Sequence, residues 1–189
     1  IESNDADALA VRYSSIGRTN LLKRVEGPLN GSFEVSYKLV GNTYDLPQGK
    51  WVMDSLTVLD GTQDIANIGR PPLLRTFDYQ NGKYSRRERE FYGFQTVVVR
   101  EHDTQAPDAP VYRQTIRTHD VAGYYTKGLL RSTELRDAAG QLWKRTEHAY
   151  VLRGAGGNQL PSSFNTTNDR GWAFPALEQT VESSYEPPV

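Results

Sequence analysis

Three histidines each stand beside a carboxylate: His102 with Asp103, His119 with Asp120, and His148 with Glu147. An imidazole and a carboxylate in hydrogen-bond reach can pass a proton between them, the basis of general acid–base catalysis. Adjacent residues on an extended chain point to opposite faces, so adjacency alone joins none of these pairs. His102 and Asp103 are expected at a solvated loop edge. The histidines also lack the short intervals of a metal-ligand set, so a metal site would require convergence from distant parts of the chain.

Other groups that could act on a substrate are few. With no cysteine at all, the chain has no thiol nucleophile, disulfide framework or cysteine-ligated zinc site. No serine lies in a nucleophile-elbow context. Gly154-Ala155-Gly156-Gly157 is followed by neither a P-loop lysine-serine nor a dinucleotide pattern, so it is not expected to cradle phosphate. The run Arg86-Arg87-Glu88-Arg89-Glu90 nearly cancels its own charge. Read as a strand, it puts Arg87 and Arg89 on one face and Arg86, Glu88 and Glu90 on the other, which favours cross-strand ion pairs over an anion site. Phe91-Tyr92-Gly93-Phe94 offers aromatic faces for sugars or bases. Its ordinary reading is core, with Gly93 at a bulge. Catalytic, cofactor-binding and metal-binding residues are therefore all expected to be none.

The elements that carry these residues read as strands. Phe33, Val35, Tyr37 and Leu39 alternate with Ser32, Glu34, Ser36 and Lys38, the period-two pattern of a strand with one apolar face. Trp51 to Leu59 is apolar on both parities and is expected to be covered on both sides. Leu73 to Tyr79 leads into Asn81-Gly82, a strong hairpin signal that pairs 73–79 with 84–92. Further strands are expected at 94–99, 111–118, 129–135, 142–151 and 177–185. Asp103 to Pro110 and residues 154–169 read as loops. Asn4 to Val11 is the one window with a helical pattern, two turns capped by Asn4. The fold class is all-β: antiparallel hairpins and meanders forming a curved sheet, with at most one short helix.

Length and charge narrow the function. A chain of 189 residues can form one domain burying roughly 70% of its unfolded surface. Its 22 basic and 23 acidic residues leave a formal charge of −1, which disfavours nucleic-acid binding through counterion release. No run is long and apolar enough for a membrane span, and the acidic, polar start is unlike a signal peptide. A first residue of Ile1 rather than Met is the mark expected of an excised or processed piece.

Asp137-Ala138-Ala139-Gly140-Gln141-Leu142, flanked by Gly128-Leu129-Leu130 and closed by Tyr150, reads as strand, four-residue turn and strand. It resembles the YD repeat of Rhs proteins. Thr19-Asn20-Leu21-Leu22, Gly41 to Pro47, Lys50-Trp51-Val52, Tyr79 to Tyr84, Arg87 to Phe94 and Tyr124 to Leu129 resemble, in order, stretches of the insecticidal toxin-complex B component and the related SpvB virulence protein. The resemblance implies a bacterial, secreted, non-enzymatic segment spanning 1–189 of a larger toxin chain. It further implies a place near the Rhs shell that encloses a toxic C-terminal polypeptide. The implied partners are the remainder of that chain, propeller and Rhs shell, and other toxin-complex subunits. The alternative is a protein- or carbohydrate-binding adaptor of a toxin or virulence protein, and an enzyme would require several Asp, Glu, Arg and His residues in one pocket.

Overall fold

The computed structural model describes residues 20–62, 69–161, 164 and 172–186. Alternation of apolar and polar side chains builds β2 (Ser32–Val40), which pairs antiparallel with the more continuously apolar β3 (Lys50–Leu59), Phe33 opposite Val58 and Val35 opposite Leu56. The same arrangement continues through β4 (Leu73–Ser85), β5 (Glu90–His102), β6 (Val111–His119), β7 (Leu130–Asp137), β8 (Leu142–Gly154) and β9 (Ala173–Ser184). A short β1 (Arg24–Glu26), absent from the sequence reading, precedes them. The sheet order is β1 to β9 without a crossover, an open nine-stranded meander.

Every substantial contact between elements is between sequence neighbours. No second layer forms among the described residues, so the buried apolar set is small: Leu46, Val52, Tyr92, Val98 and Leu152. The expected double cover of Trp51 to Leu59 is corrected accordingly. Val52 is buried, but Trp51 remains 36% exposed and the rest of β3 is half-buried. The described helix content is one 3₁₀ turn, Pro28–Asn30. The helix expected at Asn4 to Val11 lies outside the described residues.

The Asn81-Gly82 hairpin is also corrected. β4 runs through both residues, Gly82 pairs with Phe94, and the turn falls at 86–89. Asn81 adopts a left-handed φ of 54° inside the strand, a conformation asparagine tolerates without ending the pairing. The turn moves because the 41–49 loop holds this stretch of β4 extended: Tyr84 N donates to the Asp45 carbonyl at 2.7 Å and Lys83 pairs with Asp45 at 2.5 Å. The charge run consequently forms a turn rather than an alternating strand. Arg86 stacks over Tyr44 at 4.3 Å and donates to its carbonyl, while Glu90 pairs with Lys127.

Phe91-Tyr92-Gly93-Phe94 does form a bulge. Lys83 opposes Gly93 and Tyr84 opposes Phe91, leaving Tyr92 as the extra residue, and Gly93 has φ +113°. Tyr92 is buried, and the Phe94 ring meets Tyr79 at 5.1 Å and Phe91 at 5.3 Å. The 103–110 stretch is a loop as expected. At 154–169, Gly154 ends β8, the 155–158 turn follows, and Gln159 bridges back to Arg153; 162–163 and 165–169 are not among the described residues.

Candidate functional site

Antiparallel pairing brings the ends of β2, β4, β6 and β8 to one rim of the sheet, where their connections interlock. The 41–49 loop seats Leu46 against β4 and β5, 3% exposed. The 120–129 loop is closed by Asp120 N to the Leu129 carbonyl and Gly128 N to the Asp120 carbonyl. Lys127 then reaches from it to Glu90, placing its ammonium 4.0 Å from the Tyr124 ring centroid and 5.2 Å from that of Tyr92. Beyond it, Tyr125 meets Phe164 at 5.8 Å. The rim is thus a belt of loop-to-loop contacts crossing the sheet.

Within this belt lies an open hollow of about 470 Å³ bordered by Asp45, Lys83, Gln95, His119, Asp120 and Arg131. It gathers one of the three histidine–carboxylate pairs, but its charges are already committed. Arg131 Nη2 meets Asp120 Oδ2 at 2.6 Å, and Asp120 Oδ1 accepts Ala122 N at 2.8 Å. Burial alone would raise the Asp120 pKa; the Arg131 and Ala122 hydrogen bonds and the Arg131 charge outweigh it, holding the carboxyl below its ordinary value. Burial, then Arg117, pushes the His119 pKa down, so its ring stays neutral. His119 Nδ1 is buried without a hydrogen-bond partner among the described residues. Asp120 therefore lacks the raised pKa of a general base near neutrality.

The other two histidines stand elsewhere. His102 is half-buried: its ring nitrogens meet Thr76 Oγ1 at 2.9 Å and the Ala109 carbonyl at 2.7 Å. The solvated position expected for it is therefore corrected. It braces the 103–110 loop against β4, because the β5–β6 connection folds back over the end of β5. His148 meets Thr180 Oγ1 across β8 and β9 at 3.1 Å. Among the described residues, no group of three or more His, Asp or Glu side chains is placed to hold a metal ion.

The strongest electrostatic cluster was not visible in the sequence. Glu101 on β5 is 7% exposed and lies between Arg75 on β4 and Arg113 on β6, its direct cross-strand partners. Arg75 Nη2 lies 2.9 Å from Oε1, Arg113 Nε donates to Oε2 at 2.6 Å, and Tyr112 Oη donates to Oε2 at 3.1 Å. Burial would raise the Glu101 pKa, but the hydrogen bonds from Arg113 and Tyr112 and the two guanidinium charges outweigh it and lower it. Both carboxylate oxygens are saturated, so the cluster ties three strands together and offers no proton to a substrate.

The two sheet edges differ. β1 is three residues long and charged, with Arg24 paired to Glu26 at 3.0 Å and to Glu34 at 2.8 Å. β9 is twelve residues long, contains neither lysine nor arginine, and exposes Phe174, Leu177 and Val181. It is the last strand of the order, and no described strand pairs with its outer edge.

Residues 5–122 match the model of the insecticide toxin TcdB middle/N-terminal region. No curated protein matches the chain. Among solved structures, TcdB2-TccC3-TEV is similar at 16% identity and a TM-score of 0.67 over 88% of this chain. The pore state of the Photorhabdus luminescens Tc holotoxin is similar at 15% identity and a TM-score of 0.66, again over 88%. This chain spans about a tenth of the length of either solved chain. At such identity the likeness is one of fold.

Proposed function

Because this chain belongs to the family of the insecticide toxin TcdB middle/N-terminal region, we propose that it is a non-catalytic wall segment of a larger secreted bacterial toxin. In this reading it adds strands to an Rhs-like β-shell that encloses or carries a toxic C-terminal polypeptide. The observation that carries it is the pair of unequal edges: among the described residues the nine-stranded sheet is blunted at β1 and left unpaired along the twelve residues of β9. β9 carries Glu178 and Glu182 but no lysine or arginine, and it exposes Phe174, Leu177 and Val181; a long edge of this kind in a finished domain is an aggregation hazard that proteins ordinarily shorten, charge or cover. In a wall segment the next strand of the same chain supplies the cover.

The partners in this reading are the remainder of its own toxin chain and the other toxin-complex subunits. The relatives named TcdB2-TccC3 support that assignment, being structures of two toxin components together. Edge-strand variants test the proposal. The isolated chain should associate in a concentration-dependent way by analytical ultracentrifugation, and Leu177→Lys with Val181→Lys on β9 should suppress it. A wild-type chain that stays monomeric at high concentration, or turnover that one carboxylate or histidine substitution abolishes without unfolding, would overturn it.

A further inference from the structure

The backbone groups of β9 are assigned to its two sides by those of β8. Leu152 and Gly154 turn theirs toward the 158–160 segment: Leu160 N donates to the Leu152 carbonyl at 2.7 Å and Gly154 N to the Asn158 carbonyl at 2.9 Å. In an antiparallel strand the N–H and C=O of one residue point the same way, and successive residues alternate. The odd-numbered residues of β8 from Trp143 to Arg153 therefore face β9, and Trp143 accepts from Tyr185 N at 2.8 Å. On β9 the register leaves Pro175 and Leu177, opposite Leu152 and Tyr150, with their backbone groups outward. Thr180, Glu182 and Ser184, opposite His148, Thr146 and Lys144, are outward too.

The outer edge consists of two unlike halves. In the first, Pro175 has no N–H to give, and the register shift with Glu178 as the extra residue sets Leu177 three positions from Thr180 instead of two. Proline and a bulge both stop an edge from pairing. In the second, Thr180, Glu182 and Ser184 keep the regular two-residue spacing of a template. Its side chains divide as well. Val181 and Tyr185 are 41% and 43% exposed on the face of Trp143, where Arg145 and Glu147 neutralise each other at 2.7 Å. By alternation Glu182 and Glu186 fall on the other face, with Lys144 2.8 Å from Glu182.

We propose that residues 180–186 seat a single added strand that is apolar opposite Val181 and Tyr185 and basic opposite Glu182 and Glu186, while residues 173–178 take none. Main-chain hydrogen bonds to the outward groups of Thr180, Glu182 and Ser184 hold such a strand, and its alternate side chains select it. Opposite charges and apolar pairs directly across a ladder are the favourable ones. The source of the strand, the remainder of the same toxin chain, rests on the wall reading; the seat itself rests on the register. A second copy of this chain supplies backbone but no cation, since β9 has neither lysine nor arginine, and is the weaker occupant.

The probe is an end-capped heptapeptide of alternating lysine and valine, added to the full 189-residue chain at a concentration where ultracentrifugation finds the chain monomeric. Amide hydrogen exchange followed by NMR should slow about tenfold at Thr180, Glu182 and Ser184, the ratio for a seat filled nine-tenths of the time, and stay unchanged at Leu177. A glutamate–valine heptapeptide should bind about tenfold more weakly at low salt, because opposite-charge pairs become like-charge ones. Thr180→Pro with Ser184→Pro removes two outward donors and none that bonds β8, and should abolish the protection at Glu182. Leu177→Pro should leave it as in the wild type. Slowing at Leu177 equal to that at Glu182, equal affinity for the two peptides, or protection that survives the double proline variant would overturn the seat. A chain that self-associates yet takes up no peptide along 180–186 would overturn it too and leave the wall reading standing. Peptide uptake as stated in a chain that never self-associates would do the reverse.

Discussion

Replacing Glu101 with alanine removes the one anion between two guanidinium groups. Arg75 and Arg113 would then face each other across β5 without a counter-charge, and Tyr112 Oη would lose its acceptor. Breaking a buried ion pair from one side costs about 3–5 kcal/mol. Here the arginines are 38% and 46% exposed, so water recovers part of that, and about 2–3 kcal/mol is expected. For a chain of this length the loss lowers Tm by roughly 5–10 °C, measurable by thermal denaturation followed at the β-sheet circular dichroism band. Replacing Arg75, Glu101 and Arg113 together by methionine should restore most of the stability, because no charge is then left without a partner and the same cross-strand row continues through Leu56 and Val35. The pH dependence follows from the lowered Glu101 pKa. The unfolded chain binds that proton more tightly, so the stabilisation is complete above about pH 4.5 and disappears as pH falls through the lower native value. Glu101→Gln should flatten that acid limb. A Tm within 1 °C of wild type for Glu101→Ala, or a triple variant worse than the single, would refute this account.

Gly93→Val should cost at least about 1 kcal/mol through its φ of +113° alone, since a Cβ there meets nothing within 4 Å; an unchanged urea midpoint would contradict the bulge argument. Lys127→Met should leave the strands intact yet increase protease cleavage within 120–128, because Lys127 joins that loop to Glu90; equal digestion rates would show that the belt does not depend on it. Asp137→Ala should lower Tm, as its carboxylate accepts from Ala139 N and Gln141 N at 2.9 Å and from Trp143 Nε1 at 3.2 Å.

The strand framework was legible because local pattern and tertiary pairing agree. Ser32–Val40 alternates so regularly that its bounds coincide with β2, and Asp137 to Leu142 turns as its residues require, with Gly140 at φ +83°. Asn81-Gly82 misled because the backbone freedom that favours a turn also permits a left-handed residue inside a continuing strand. What decided between them was the 41–49 loop, about forty residues away, whose contacts with β4 no local window contains. Glu101 stayed hidden for a related reason. Its partners stand 26 and 12 residues off, and only the register makes them neighbours. His102 next to Asp103 drew attention by adjacency, yet its bonds go to Thr76 and Ala109.

The uncrossed order of the sheet has a consequence for how the chain is made. Each strand pairs only with the ones just before and after it, so no strand pairing has to wait for a strand beyond the next in sequence. Closing short loops carries a small entropic cost, and topologies built from local pairings fold quickly. As the chain leaves the ribosome, β2 and β3 can zip first, and each later strand meets a template already laid down. Synthesis and folding then run in the same direction, with β9 as the growing end.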